Sequence, residues 1–407
     1  MQNRAALIFV LITVTLDSIG IGLIFPVMPQ LIEEVTGGDL SQAAVWGGVL
    51  ATSFAVMQFL FGPVVGNLSD RYGRRPVMLT ALAVMAADYL VMALAGSVWL
   101  LLAGRLLAGI TAATHSTAAA YVADISAPED RGRNFGLIGA GFGMGFILGP
   151  LIGGLLAALD TRAPFYGAAL MAAANLALGL AVLPETVTDR IRRPFRWSRA
   201  NPLGAFRAAG KLPGLTRLMA VFLLLSVAGY VYPAIWAYYG RTRFGWGAGT
   251  VGLSLALYGG AMMAVQALLV GPAIRRIGEA RAASAGMAVD LVSALFYGVV
   301  TSPVAALAFT PFAALGGLST PALQALASRA APDDAQGELQ GVLASLSAVS
   351  MILSPLIMTA TFSAFTRPGA AVYAPGAPFL LAAVLLVVCI LLHVAGPRVA
   401  APEKDLA

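Results

Sequence analysis

Apolar residues fill this chain in long unbroken stretches, and the polar residues collect in short punctuating segments. A helix needs about 20 apolar residues to cross a bilayer. Runs of that kind fall at 5–28, 44–66, 76–95, 98–121, 134–158 and 162–183, and again at 214–236, 250–272, 282–301, 303–327, 337–364 and 377–396. The pattern predicts an all-α membrane protein with twelve transmembrane helices as two six-helix bundles. The expected division is an N-terminal bundle over 1–183, a cytoplasmic linker over 184–213 and a C-terminal bundle over 214–407. The first run is too long for a cleavable leader and carries Asp17 in its middle.

The polar segments between the runs repeat. Gly66–Arg75 reads GNLSDRYGRR, and GPAIRRIGEAR follows half a chain later from Gly271 to Arg281. Gly66 pairs with Gly271, Asp70 with Arg275, Arg71 with Arg276 and Gly73 with Gly278, each 205 positions on. Ala127-Pro128-Glu129-Asp130 and Gly136 return as Ala331-Pro332-Asp333-Asp334 and Gly341 at nearly the same offset. Two polar loops repeated in order within an apolar chain indicate a duplicated bundle, the architecture of transporters with a site between two halves.

Composition supports the membrane reading: 407 residues, 59% hydrophobic, 11% charged and a mean hydropathy of +0.84. One cysteine, Cys389, excludes an intramolecular disulfide, and two histidines are few for a metal site. No metal site or bound cofactor is expected. With the N-terminus inside, 20 of the 25 Lys and Arg lie on the cytoplasmic side, 4 lie outside, and Arg105 is within a span. That asymmetry follows the positive-inside rule and places both termini in the cytoplasm. It also accounts for the pI near 9.7 without nucleic acid as a partner. Residues 184–213 are rich in Arg and Pro, and an amphipathic piece around Phe195–Phe206 is expected on the membrane surface.

Four ionisable residues remain inside the spans: Asp17, Asp88, Arg105 and Asp290. Each costs about 2.5–3.5 kcal/mol at mid-helix, so each needs a reason to be there. At 1.5 Å per residue all four fall in the middle zone, Asp17 and Asp88 about 18 Å from the starts of their helices. Asp88 and Arg105 lie on consecutive helices at matching depth, which fits a structural ion pair as well as a functional one. Asp17 and Asp290 have no cation in their own spans and are expected to face a central cavity and work on a proton or a cationic substrate. In the fifth span Gly141, Gly145, Gly149-Pro150, Gly153 and Gly154 form one expected face for close helix approach. His393 is expected at the membrane interface.

GNLSDRYGRR resembles the loop motif between spans two and three of the major facilitator superfamily, and GFGMGFILGPLIGG resembles the fifth-span motif of its drug/proton antiporters. A tighter resemblance is to the tetracycline/proton antiporters of Gram-negative bacteria. TVTLDSIGIGLIFPVMP, VMQFLFGPVVGNLSDRYGRRPV, GRLLAGITAAT with AAYVADISAPEDR, RFGWGAGTVGLSLA and PALQALASRAAPDDAQGELQG carry it. It implies a bacterial inner-membrane exporter, working by alternating access, that expels a tetracycline as a divalent-cation chelate while a proton enters. Magnesium belongs to the substrate, and no obligate protein partner is expected. Asp17 and Asp290 match acids tied to coupling and substrate, and Asp88 and Arg105 match the family's other membrane charges. Asp70, Arg71 and Arg74 match loop charges that latch the halves in one state. Gly66 and Gly73 belong to that loop, Gly66 being expected to pack against a neighbouring helix.

This chain departs from the family at two places. Met262 stands where familiar members have a histidine, four residues before the glutamine corresponding to Gln266, and Tyr230 stands where a glutamine is usual. Pocket chemistry is therefore expected to differ. Gln58, Tyr230, Trp236, Met262, Gln266 and Gln324 are the candidate pocket lining. A multidrug or metabolite antiporter on the same scaffold is the alternative. A membrane-embedded enzyme or receptor is remote, since no nucleophile or metal constellation stands out.

Overall fold

The structure is a computed structural model that describes residues 2–112, 114–127, 129–187, 215–332 and 335–395, with 192, 194, 195, 197, 201 and 204 between them. The side chains of residues 2–5 and 115 also fall outside the description. The linker expected over 184–213, with its amphipathic piece, lies mostly outside the described residues.

The first half contains α1 (Gln2–Ile24), α2 (Met28–Thr36), α3 (Leu40–Tyr72), α4 (Arg74–Leu94), α5 (Val98–Thr111), α6 (Thr114–Ile125), α7 (Arg131–Leu156) and α8 (Ala163–Val182). The second contains α9 (Thr216–Gly229), α10 (Val231–Phe244), α11 (Ala248–Ala264), α12 (Val270–Ile277), α13 (Glu279–Val299), α14 (Pro303–Ala313), α15 (Ser319–Ala330), α16 (Gln336–Thr366) and α17 (Ala377–Val394). A π turn, Val265–Leu269, joins α11 to α12, and a 3-10 turn, Ala314–Leu318, joins α14 to α15. Twelve segments among the described residues are long and apolar enough to cross a membrane. That is the number the apolar runs predicted.

Boundaries moved where polar residues extend a helix beyond its apolar run. The second span begins at Leu40 because Asp39 accepts a hydrogen bond from the Gln42 amide at 2.8 Å, which caps the helix. It continues to Tyr72 and stops at Gly73, whose φ of +116° suits only glycine. Gly278, its repeat partner, ends α12 at φ +79°. The short helix α2 was hidden in a loop segment; it buries Leu31 and Ile32, leaves Glu33 half-buried and exposes Glu34.

Within the first half α1 packs on α7 and α8, and α4 on α5 and α8; in the second α13 packs on α15 and α17, and α9 on α16 and α17. The most extensive contacts between the halves are α3 with α16 and α7 with α11, and α10 also touches α2 and α3. Lipid tails are as apolar as the side chains, so such contacts depend on small residues and close backbone approach. Glycines provide it in α7, on two faces rather than the single face expected. A Cβ on Gly149 would lie 2.7 Å from the Ile19 carbonyl oxygen, and Gly141, Gly145 and Gly153 likewise face α1. Gly154 instead faces α11, where it lies against Ala248, and the Pro150 carbonyl meets Gly252 while the Pro150 ring stays against Gly22 of α1. The hundred-degree step of a helix separates Gly153 from Gly154, so one run of glycines serves two partners. His393, expected at the interface, is buried and bonds the Ala280 carbonyl at 3.1 Å.

Candidate transport pathway and site

The two halves meet at the end away from the basic loops. There Ser41 and Ser363 bring their hydroxyls to 2.8 Å, and Thr52 donates to the Ile352 carbonyl at 2.9 Å. Gly47 and Gly48 leave room for Tyr238 and Thr359 of the other half. Arg241 of α10 reaches Glu33 of α2 at 2.8 Å, an ion pair across the halves. Toward the basic end α3 and α16 part around a cavity of about 230 Å³. Ala55, Gln58, Phe59 and Pro63 line it from one half, and Ala344, Ser345, Ala348 and Met351 from the other. The structure is thus closed at one end of the interface and hollow on the other side.

Gln58 is the one expected lining residue on this wall. Its amide donates to the Ala112 carbonyl at 3.0 Å, where the helix breaks between α5 and α6. Trp236 is displaced from the expected lining. It is buried inside the second half, donates to the Ser254 hydroxyl at 2.8 Å, and packs edge-on against Tyr297 at 5.0 Å. Tyr230 sits at the junction of α9 and α10, and Gln324 is exposed on α15.

Asp88 and Arg105 form an ion pair between α4 and α5, with Asp88 4% exposed. Gly104 makes room for the carboxylate, whose Oδ1 would be 2.6 Å from a Cβ placed there. The guanidinium also lies over the Phe54 ring at 5.5 Å.

Asp17 and Asp290 have no ion-pair partner among the described residues. Oδ1 of Asp17 is buried without a hydrogen-bond partner among the described residues. Asp290 is absent from the lining of the cavity between α3 and α16. It borders a smaller cavity in the second half, about 20 Å³ and lined by Leu225, Ala228, Gly229, Tyr232, Ala294 and Leu386 among others. That volume suits about one water molecule. The two carboxylates belong to different bundles, Asp17 to α1 and Asp290 to α13, and both are partly exposed.

Asp290 is held by a group of residues that the sequence did not single out. Ser319 donates to its Oδ2 at 3.0 Å, and Gly316 leaves the room its Oδ1 occupies. Gln266, on the π turn, is exposed and donates to the Gly317 carbonyl at 3.4 Å, resting on Met262 sulfur at 3.9 Å. Single π turns inside helices recur at functional sites. Met262 and Gln266 thus adjoin the turn that cradles Asp290.

The loop charges pair inside the first half. Arg74 contacts Asp70 at 2.6 Å and Asp124 at 3.2 Å, and donates to the Ser69 hydroxyl at 3.1 Å. Glu185 accepts from the backbone amides of Arg74 and Arg75 at 2.9 and 3.2 Å, capping α4 where the helix dipole favours an anion. A Cβ on Gly73 would run into that carboxylate. Arg71 lies over the Tyr72 ring at 5.0 Å. Gly66 does not touch a neighbouring helix in this conformation: a Cβ there would have no atom within 4 Å.

The family's sequence profile, described as Major Facilitator Superfamily, matches residues 10–355. This chain is a member of the Major Facilitator Superfamily. It is a multi-pass membrane transporter and not an enzyme. It is 43% identical over 390 residues to "Tetracycline resistance protein, class C" of Escherichia coli, covering 96% of each chain. It is 40% identical to "Tetracycline resistance protein, class G" of Vibrio anguillarum, covering 89% of this chain and 91% of that one. Among solved structures it resembles the human organic anion transporter MFSD10 (TETRAN), at 25% identity and a TM-score of 0.69, covering 96% of this chain and 99% of that one.

Proposed function

We propose that this superfamily member is a proton-coupled exporter of tetracyclines, carried as divalent-cation chelates. The observation that carries the reading is the similarity along the whole chain to tetracycline resistance proteins, at 43% identity for the class C protein. The geometry supplies the means. One end of the interface is closed by Ser41–Ser363, Thr52–Ile352 and Glu33–Arg241, while a cavity lies between α3 and α16 on the other side. Alternating access requires that asymmetry to reverse. Asp17 and Asp290 lack a cationic partner among the described residues and are free to hold a proton or respond to a cationic substrate, whereas Asp88 is committed to Arg105. No resident cofactor is needed; protons drive the exchange, and magnesium arrives with the drug. The excess of Lys and Arg in the loops on the cavity side supports a cytoplasmic orientation for that side and for both termini, in a bacterial inner membrane.

The aromatic residues argue against a broad multidrug pocket. Tyr232, Trp236, Tyr239, Tyr297 and Phe379 pack on one another inside the second half, and Phe59 is the aromatic residue on the wall between the halves.

The test uses inside-out vesicles with an acidic interior and labelled tetracycline, with and without magnesium. Magnesium-dependent uptake that stops when the gradient is collapsed supports the proposal. Absence of uptake by folded protein under a verified gradient refutes the choice of substrate. Asp17→Asn and Asp290→Asn are each expected to abolish gradient-driven uptake while protein still reaches the membrane. Normal uptake by either variant removes that residue from the mechanism.

A further inference from the structure

Ser319 has one hydroxyl hydrogen and two acceptors within reach, Asp290 Oδ2 at 3.0 Å and the Gly316 carbonyl at 2.7 Å. A hydroxyl is a single donor, so it serves one acceptor at a time. We propose that Ser319 is a positioning residue for Asp290 whose hydroxyl turns to the carboxylate when Asp290 is charged and to the Gly316 carbonyl when Asp290 is protonated. The proposal rests on the reading of Asp290 as a proton-carrying group.

The chemistry of each state selects one arrangement. A charged carboxylate attracts the hydrogen more strongly than a neutral carbonyl does. Once protonated, the carboxyl O–H donates to Ser319 Oγ, and the hydroxyl hydrogen moves to the Gly316 carbonyl. Both states keep these buried groups bonded, which avoids the cost of an unsatisfied donor. The proton is conserved throughout: it joins or leaves Asp290 alone, and the serine only rotates.

Packing holds the serine at this spot. Gly286, one turn before Asp290 on α13, lets Ser319 approach so closely that a Cβ would lie 2.8 Å from the serine Cα. Gly316 leaves room for the carboxylate in the same way. The titratable groups around Asp290 are Tyr232 from α10, which lines the same small cavity, with Tyr258 from α11 and Cys389 from α17 beyond it. None of these carries the hydrogen bond that Ser319 provides. The Gly316 carbonyl belongs to the 3-10 turn, which packs against the π turn bearing the exposed Gln266. Rotation of one hydroxyl thus transmits the proton state of Asp290 to the backbone of a turn that touches the opposite helix break.

The experiment is pH-difference infrared spectroscopy of the full-length protein in lipid nanodiscs, with no drug present. The Asp290 carboxyl band is assigned by its loss in Asp290→Asn. Ser319→Ala, checked for folding by circular dichroism, is expected to move the titration midpoint upward by about one pH unit, the scale of one charge-assisted hydrogen bond. It also raises the carbonyl stretching frequency, as a weaker hydrogen bond does. Ser319→Cys, nearly isosteric with a weaker donor, falls between Ala and the native serine. An unchanged midpoint and band position in Ser319→Ala overturn the proposal while leaving Asp290 as a proton carrier. Absence of any titrating band that Asp290→Asn removes overturns both.

Discussion

Replacing Asp88 by Asn keeps the shape of the side chain and deletes its charge, which isolates the electrostatics of the Asp88–Arg105 pair. Asp88 is 4% exposed, and its partner guanidinium stays in the bundle with the Phe54 ring 5.5 Å away. Breaking a buried pair from one side costs about 3–5 kcal/mol, because the remaining charge is stranded. The Asn amide oxygen can still accept from the guanidinium and recovers about 1 kcal/mol. The cation–π contact exists before and after and cancels. A net loss of about 2–4 kcal/mol is expected. Arg105→Gln should cost a similar amount, stranding the carboxylate instead. The double variant, carrying no charge, should cost less than the two single losses together, with a coupling of about 2 kcal/mol or more. Equilibrium unfolding in mixed detergent micelles, followed by helical circular dichroism, measures all three. A cost below about 1 kcal/mol for Asp88→Asn, or strict additivity in the cycle, would refute the structural assignment. Both charges would then have to be explained by transport.

Three other outcomes follow from contacts between elements. Ser41→Cys with Ser363→Cys, whose native hydroxyls lie 2.8 Å apart, should form a disulfide that stops transport and is reversed by reductant; transport that survives complete oxidation rules out opening at this end. Gly149→Ala places a methyl 2.7 Å from the Ile19 carbonyl, and overpacking against backbone should destabilise the protein by about 1–3 kcal/mol in the same unfolding assay. Gly73→Ala forces an L side chain to φ +116° against Glu185 and should cost about 1–3 kcal/mol, with Gly66→Ala, which faces open space, as the near-neutral control.

The spans were legible because a bilayer imposes length and apolarity on every crossing segment, and that constraint is written residue by residue. The four buried charges were legible for the complementary reason: each violates the same constraint. The Asp88–Arg105 pair was within reach from depth alone, since consecutive helices run side by side. The cradle around Asp290 was not. Ser319 and Gly316 are small residues in an apolar run, and nothing in their spacing says that the helix breaks into a 3-10 turn there. Trp236 was misplaced for a similar reason. An aromatic residue in a span reads alike on a cavity wall and in a core, and only the Ser254 hydrogen bond and the surrounding rings decide between them.

The duplicated loops hold a pairing that identity matching conceals. Arg74 bonds Asp124 at 3.2 Å in the first half, and Arg329 bonds Glu279 at 3.2 Å in the second. Positions 74 and 279, and 124 and 329, are each 205 residues apart, the offset that relates Gly73 to Gly278. The repeat therefore preserves the ion pair while exchanging the signs of its partners. Residue-by-residue comparison scores these as two mismatches, yet the interaction survives, because the attraction depends on the product of the charges. The exchange also matters between the halves. Like charges at equivalent positions repel when related surfaces approach, whereas exchanged charges face their opposites. Were the cavity side to close by bringing equivalent surfaces of the two halves together, the reversed polarity would make that approach electrostatically favourable.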